Sequence, residues 1–313
     1  MPVHDLVVDE KDGTANFMVT LGRQFGQSSN STITVDFTTA SGTAVAGSDF
    51  TATSGTLVFL PGQSVKTVSV PLIDDATAES LERFFLNLSN ASNAVITNDT
   101  LNGGLGVDRM EGGPGDDVYA VDNVNDIVIE LPGEGTDRVS STVHWTLGAN
   151  VENLTLAGTA AINGTGNSLP NVITGNPAAN AIDGGAGDDT LSGGEGNDTL
   201  TGGAGSDRLT GGPGADVFRF VTTGDGPDVL TDFARGTDRI AVVAANFGLV
   251  AGQAANVLVN GSAVNGAAVF LYTSASGLLQ FDRDGNGPLA PVSLATLSNR
   301  PNLLAPSDFI LGS

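Results

Sequence analysis

The sequence contains no cysteine, and only two of its 313 residues are histidine. The lack of cysteine excludes disulfide bridges, thiolate zinc sites and cysteine nucleophiles. The chain has no HExxH segment for a zinc protease and no GxSxG segment for a serine hydrolase. Aromatic residues make up only 5% of the chain, too few for an aromatic-rich core along its whole length. We therefore expect a protein without catalytic activity.

Positive charge is scarce as well. Twelve Lys and Arg residues stand against 35 Asp and Glu residues, which gives a net charge of −23. This field repels nucleic acid and attracts cations. Asn and Gly interrupt the Ala/Val-rich residues 240–272, so we expect no membrane-spanning helix. Residues 1–13 lack the apolar stretch of a classical signal peptide.

Glycine is abundant, with 43 residues, and much of it follows a nine-residue period. Four successive blocks read GGxGxDx(L/F)x and begin at Gly184, Gly193, Gly202 and Gly211. Position six holds Asp189, Asp198, Asp207 and Asp216, and position eight holds Leu191, Leu200, Leu209 and Phe218. A shorter array over 103–120 places Asp108 and Asp117 at position six. A flexible Gly/Asp-rich linker has no reason to keep this period, so the pattern indicates a solenoid.

The same period continues upstream without its carboxylates. Blocks beginning at Gly148, Ala157, Gly166 and Gly175 place Asn153, Ile162, Asn171 and Asn180 at position six. Their position-eight residues are Thr155, Gly164, Ile173 and Ile182. We interpret 148–183 as the same solenoid, with Asn where no metal is bound.

One buried aliphatic residue per nine cannot hold such a chain together, because stacked carboxylates repel one another. Ca²⁺ takes six to eight oxygen ligands with flexible geometry and would remove that repulsion. We expect the glycines at positions one, two and four to adopt positive φ and turn carbonyl groups toward the ion. If two blocks form one coil, residues 18 apart share an ion, which pairs Asp189 with Asp207, Asp198 with Asp216 and Asp108 with Asp126. The predicted metal-binding residues of the repeats are Asp108, Asp117, Asp126, Gly184, Gly187, Asp189, Gly193, Gly196, Asp198, Gly202, Gly205, Asp207, Gly211, Gly214 and Asp216.

These blocks resemble the RTX (hemolysin-type) calcium-binding repeat. The resemblance implies a right-handed parallel β-roll with Ca²⁺ between successive turns. The tail after residue 224 is similar to the C-terminal domain of serralysin-like proteases and other type I secretion substrates. That similarity implies an uncleaved C-terminal export signal, the type I secretion machinery as a partner, and a secreted or cell-surface location.

Residues 1 to about 98 alternate apolar and polar side chains, which predicts a short-stranded antiparallel sandwich. The segments Ala46–Phe50, Phe59–Gly62 and Ile73–Asp75 resemble a Calx-beta domain. The resemblance implies calcium ligands at Glu10, Asp49, Asp74, Asp75, Glu79 and Glu82. The acidic run that ends the best-known calcium-binding members is reduced here to Asn98-Asp99, so the alternative is an adhesive spacer with weak or no metal binding.

The sequence therefore predicts an all-β protein: a sandwich (1–98), a first short repeat block with a connecting segment (99–147), a β-roll (148–223) and a β-rich cap carrying the secretion signal (224–313). Further candidate ligands at the cap are Asp228, Asp232 and Asp238, whereas Asp282 to Gly287 resembles an EF-hand opening without its distal Glu. We expect a secreted calcium-binding protein that folds on Ca²⁺ after export. It would act at the cell surface or in the matrix as a non-catalytic or adhesion protein that contacts polysaccharide or protein. The alternative is the export and stability region of a protease-, lipase- or epimerase-type extracellular enzyme that lacks its catalytic domain.

Overall fold

The computed structural model describes residues 13–20, 32–41, 44–63, 65–74, 84–92, 100–102, 106–113, 115–261, 266–302 and 304–312. Over these residues the chain is nearly all β, as predicted, with a single α-helix of four residues, α1 (Ala244–Phe247). None of the described helices is long and apolar enough to cross a membrane. The contacts divide the chain into two units. Unit 1 comprises Met1–Asn102, Gly112–Val118 and Gly133–Gly135, and unit 2 comprises Gly103–Glu111, Tyr119–Pro132 and Thr136–Ser313.

Unit 1 contains the predicted sandwich. The sandwich strands are β1 (Thr14–Thr20), β2 (Ile33–Ser41), β3 (Ser54–Phe59), β4 (Val65–Pro71) and β5 (Phe84–Ser92), and β6 (Thr100–Asn102) follows them along the chain. Strands β1 and β4 form one antiparallel sheet, and β3, β2 and β5 form the other in that order. The alternation seen in the sequence places Val68 and Val70 in the core while Thr67 and Ser69 face outward. The ring of Phe50, fully buried, stacks on Phe84 with centroids 4.3 Å apart.

Unit 2 is a solenoid with two long sheets and a small parallel pair of strands. The first long sheet runs through β8 (Val118–Val121), β10 (Arg138–Ser141), β12 (Asn153–Leu156), β14 (Val172–Thr174), β16 (Thr190–Ser192), β18 (Arg208–Thr210) and β20 (Asp228–Leu230). The second runs through β11 (Trp145–Thr146), β13 (Gly164–Thr165), β15 (Ala181–Ala186), β17 (Thr199–Ala204), β19 (Val217–Phe220), β21 (Arg239–Val243) and β26 (Phe309–Gly312). The small pair is β7 (Arg109–Glu111) with β9 (Ile127–Ile129).

The parallel register confirms that two nine-residue blocks make one coil. Leu191 pairs with Leu209 in the first sheet, and Leu200 pairs with Phe218 in the second, each a step of 18 residues. All four of these side chains are at most 1% exposed. The side chains at position eight therefore form the core of the solenoid, and successive blocks contribute them alternately from one sheet and from the other.

The upstream register differs from the prediction by one residue. Strand β12 pairs with β14 so that Leu154, rather than Thr155, lies opposite Ile173. Leu154 is 1% exposed, whereas Thr155 is half-buried. The prediction was wrong because this coil contains 19 residues, and a single added residue moves every following side chain of a strand to the other face.

The parallel stacking continues beyond residue 223 into the tail. Strand β25 (Val292–Leu297) pairs in parallel with β20, and β26 pairs in parallel with β21. Along the chain, α1 and the strands β22 (Val257–Val259), β23 (Val269–Thr273) and β24 (Leu278–Asp282) lie between β21 and β25. These three strands extend the first sheet beyond β25. A 3₁₀ turn at Pro306–Asp308 precedes β26.

Candidate metal centre

The position-six aspartates of the repeats form two buried rows. Asp189, Asp198, Asp207 and Asp216 are at most 2% exposed. The backbone N–H of Asp189 donates to Oδ1 of Asp207 (2.8 Å), and that of Asp198 donates to Oδ1 of Asp216 (2.9 Å). The pairs predicted from the 18-residue spacing therefore lie on adjacent coils.

The second oxygen of each carboxylate is what makes these rows a candidate cation site. Oδ2 of Asp189, Asp198, Asp207 and Asp216 is buried and has no hydrogen-bond partner. A buried charged oxygen without a partner is costly, and the cost falls if a cation binds it. Hard divalent cations that accept several oxygen ligands, above all Ca²⁺, fit this donor set.

Backbone carbonyl groups approach the same oxygens. An ideal Cβ on Gly184 would lie 2.2 Å from Oδ2 of Asp189 and 2.5 Å from the carbonyl oxygen of Gly202. On Gly193 it would lie 2.3 Å from Oδ2 of Asp198 and 2.6 Å from the carbonyl oxygen of Gly211. Each carboxylate oxygen thus meets a carbonyl oxygen of the next coil, at a point that only glycine leaves open.

The glycines of one block have two different roles. Gly185 and Gly187, at positions two and four, have φ of 97° and 119°, as predicted for a turn that only glycine adopts readily. Gly184, at position one, is not among the residues with positive φ, so that part of the prediction was wrong. Position one requires glycine because a side chain there would collide with the carboxylate.

Burial is the largest influence on the pKa values of the aspartates in the rows. It raises the pKa of Asp189 to about 7 and that of Asp216 to about 6, against a backbone hydrogen bond that lowers each. Burial also raises the pKa of Asp198 and of Asp207. The ionised carboxylates are therefore disfavoured in the protein alone, and a bound cation would reverse this preference.

Asn replaces Asp in the preceding coils and provides its own donors. Nδ2 of Asn180 donates to the carbonyl oxygen of Ile162 (2.6 Å), and Nδ2 of Asn171 donates to those of Val151 and Glu152 (3.2 Å each). Oδ1 of Asn171 accepts the backbone N–H of Asn167 (2.8 Å). Both the oxygen and the nitrogen of the Asn171 amide therefore have hydrogen-bond partners within the chain.

The shorter array reproduces part of this arrangement. The backbone N–H of Asp108 donates to Oδ1 of Asp126 (3.0 Å) across the predicted 18-residue step. Oδ2 of Asp126 accepts the backbone N–H groups of Asp122 and Asn123 (3.3 Å each). Asp108, Asp117 and Asp126 are all buried.

The candidate ligands of the sandwich are only partly described. Asp49 is half-buried, and its Oδ2 accepts the backbone N–H of Val45 (2.5 Å). The backbone N–H of Ile73 donates to the carbonyl oxygen of Asp49 (2.9 Å), which brings the exposed Asp74 close to that turn. Glu10, Asp75, Glu79 and Glu82 lie outside the described residues.

Sequence reasoning missed a second ladder, at position five. Oδ1 of Asp188 accepts the backbone N–H of Ser206, and Oδ1 of Asn197 accepts that of Ala215, both at 2.8 Å and one coil apart. Position five varies among the blocks, but each of these residues has an oxygen where the next coil presents an N–H group. The recurrence of short polar side chains at this position is the signal that could have found the ladder.

Comparisons with known proteins agree with these two regions. The Calx-beta domain model matches residues 2–101. The model of the RTX calcium-binding nonapeptide repeat matches residues 96–128, 165–200 and 183–218. The chain thus consists in large part of two kinds of calcium-binding, non-catalytic domain.

Similar proteins share only parts of the chain. Sodium/calcium exchanger 1 of Canis lupus familiaris is 47% identical over 72 residues, which is 23% of this chain and 7% of the exchanger. The apo-form Calx CBD1 domain is 31% identical and covers 27% of this chain and 71% of that domain, with a TM-score of 0.25. A subunit of the Azotobacter vinelandii mannuronan C5-epimerase is 27% identical and covers 46% of this chain and 78% of the subunit, with a TM-score of 0.33.

The fold and the acidic rows define an all-β calcium-binding protein. More particularly, it carries a Calx-beta domain followed by RTX repeats, and its ion is Ca²⁺.

Proposed function

We propose that this chain is a secreted protein whose repeat region folds when it binds Ca²⁺ outside the cell, and that it acts as a non-catalytic surface, matrix or adhesion protein. The observation that carries this proposal is the set of buried Oδ2 atoms of Asp189, Asp198, Asp207 and Asp216, which have no hydrogen-bond partner. The glycine carbonyl oxygens beside them supply further ligands.

Calcium binding and folding are coupled in this scheme. Without a cation, the aspartate rows would bring like charges together inside the roll of a chain that already carries a net charge of −23. The ions bind only where adjacent coils are stacked, so the free energy of binding becomes free energy of folding. Extracellular calcium modules have Kd values on the order of 10⁻⁴–10⁻³ M, so such sites fill outside a cell and stay empty inside it.

The role after folding is proposed from the absence of a catalytic motif in the sequence and from the Calx-beta sandwich. An unfolded, acidic repeat region is compatible with export through a type I secretion system, and the folded roll would then display the sandwich as a binding or spacer module. Surface polysaccharide and protein are the partners we propose. A neighbouring reading frame for a protease, lipase or epimerase would favour the alternative, an export and stability region for an enzyme.

Far-UV circular dichroism of the full chain in EDTA, titrated with Ca²⁺ and separately with Mg²⁺, tests the proposal. We expect a coil-to-β transition with Ca²⁺ and a much weaker response to Mg²⁺, because Mg²⁺ demands near-ideal octahedral geometry and gives up its water reluctantly. A variant with Asp189 and Asp198 both changed to Asn should need more Ca²⁺ for the same transition. A repeat region equally folded in EDTA and in Ca²⁺ would show the proposal to be wrong.

A further inference from the structure

The end of one aspartate row contains a residue from outside the repeats. Strand β20 follows the last block, and its first residue, Asp228, lies 21 residues after Asp207 rather than 18. The backbone N–H of Asp207 nevertheless donates to Oδ1 of Asp228 (3.0 Å). This is the hydrogen bond that Asp189 makes to Asp207 within the repeats. Asp228 therefore occupies the position of the next aspartate in the row.

The two side chains face each other in a buried place. Asp207 and Asp228 are each 1% exposed. Their carboxyl groups lie within hydrogen-bonding reach of each other, while Oδ2 of Asp207 has no hydrogen-bond partner. Two buried carboxylates in contact need a cation or a proton between them.

A close carbonyl oxygen also recurs at this end of the row. An ideal Cβ on Gly226 would lie 2.6 Å from the carbonyl oxygen of Leu294 and 3.3 Å from Oδ1 of Asp228. Leu294 belongs to β25, which pairs with β20 as the next coil does within the repeats. Gly226 lies two residues before Asp228 and has positive φ, as Gly187 does two residues before Asp189, so a carbonyl oxygen of the following strand lies close to the turn that carries Asp228.

The two other acidic candidates of this segment are already engaged. Asp232 accepts the backbone N–H groups of Gly211 and Gly212, one on each carboxylate oxygen, at 3.0 and 2.8 Å. Asp238 accepts that of Asp216 on Oδ1 (3.1 Å) and that of Ala234 on Oδ2 (2.7 Å). Asp238 thus faces Asp216 as Asp228 faces Asp207, but both of its carboxylate oxygens already accept backbone N–H groups, whereas Asp228, among the described residues, accepts only the N–H of Asp207.

We propose that Asp207 and Asp228 bind a Ca²⁺ ion between the last repeat coil and the cap, in addition to the ions held within the repeats. Asp228 lies after the last nine-residue block, so one of the two ligands comes from outside the repeats. The proposal rests on the calcium-folded roll, which it extends by one ion. It also gives the cap a role as a ligand donor.

Native mass spectrometry of the full chain at saturating Ca²⁺ tests the site by counting bound ions. Asp228→Asn keeps an oxygen that can accept the N–H of Asp207, so we expect the roll to fold with one ion fewer than the wild type. The matched control is Asp225→Asn, because Asp225 is buried nearby but its Oδ2 is held by the backbone N–H groups of Val221 and Thr222 (2.6 and 2.7 Å). We expect Asp225→Asn to keep the wild-type ion count.

An unchanged ion count in Asp228→Asn would overturn the inference and indicate a shared proton instead. If that variant does not fold, a crystal of the wild type grown in Ca²⁺ decides. An ion within about 2.3–2.6 Å of both carboxylates supports the site, and direct contact of the two carboxyl groups contradicts it. A wild type that binds no Ca²⁺ at all would instead refute the proposed function.

Discussion

Replacing Gly193 by alanine would place a methyl group where a carboxylate and a carbonyl of adjacent coils meet. The new Cβ would lie 2.3 Å from Oδ2 of Asp198 and 2.6 Å from the carbonyl oxygen of Gly211. Both separations are far below van der Waals contact, so the carboxylate must move away from its position in the row. We therefore expect Gly193→Ala to remove one calcium site as well as to strain the backbone.

Two other glycines separate these two effects. On Gly175, in an Asn-type coil, an ideal Cβ would lie 2.0 Å from the carbonyl oxygen of Gly193 and 2.6 Å from Oδ1 of Asn180. Gly175→Ala therefore causes similar crowding beside an amide instead of a carboxylate. On Gly224 the nearest atom would be Oγ1 of Thr222 at 3.5 Å, an ordinary contact.

The magnitudes follow from the two terms. Forced overpacking costs about 1–3 kcal/mol. An ion present at 100 times its Kd contributes about 2.7 kcal/mol. We expect Gly193→Ala to lower the free energy of unfolding of the roll by about 4–6 kcal/mol, Gly175→Ala by about 1–3 kcal/mol, and Gly224→Ala by no more than about 0.5 kcal/mol.

Urea unfolding of the full chain, followed by far-UV circular dichroism, measures these differences. The buffer should contain about 10 mM CaCl₂, on the order of 100 times a Kd of 10⁻⁴ M. Because a chain of two units need not unfold in one step, the transition that depends on Ca²⁺ is the one to compare. Equal losses for Gly193→Ala and Gly175→Ala would refute the reasoning, since the carboxylate would then make no contribution of its own.

Three further outcomes are expected. Leu200→Ala should lower the free energy of unfolding in Ca²⁺ by about 2–5 kcal/mol because Leu200 is fully buried. Its control, Thr190→Ala, changes an exposed side chain and should lower the free energy of unfolding by less than about 0.5 kcal/mol. Equal urea midpoints for the two variants would contradict this. Asn180→Asp loses the donor to the Ile162 carbonyl and should raise the Ca²⁺ concentration needed for folding, and an unchanged midpoint would count against the role of Asn. Burial raises the pKa of Asp189 to about 7 and of Asp228 to about 8, from 3.8. Protonation therefore stabilises the metal-free roll at low pH, and this stabilisation disappears as the pH rises through about 7–8; the β signal in EDTA should decrease from about pH 5 to pH 9, and an increase would contradict the prediction.

The repeat period was enough to predict the solenoid because each block repeats its chemistry. The residues at position eight identified the core. The 18-residue step identified which aspartates are neighbours, since Asp189 and Asp207 occupy the same position on adjacent coils. The coils with Asn171 and Asn180 keep the same 18-residue step, so their place in the solenoid could be predicted for the same reason. Where the period is kept, counting residues is equivalent to locating them in space.

Counting fails where the chain departs from the period. The coil that contains β12 has one extra residue, so the inward residue is Leu154 and not Thr155. Beyond the last block the spacings become 21 and 22, and only the structure shows that Asp228 and Asp238 follow Asp207 and Asp216. For the glycines, the sequence shows where they recur but not whether the cause is a positive φ or a close carboxylate.

The solenoid has a consequence for how this protein can change in length. Within the repeats, each ladder and each row joins residues 18 apart, so inserting or deleting one whole coil recreates the same neighbours on both sides of the join. Duplication of one coil can therefore lengthen the roll, and deletion of one coil can shorten it, with the number of ions changing in step and the contacts between coils staying the same. The 19-residue coil and the cap have no such freedom, because each fits its neighbours through a spacing that occurs once.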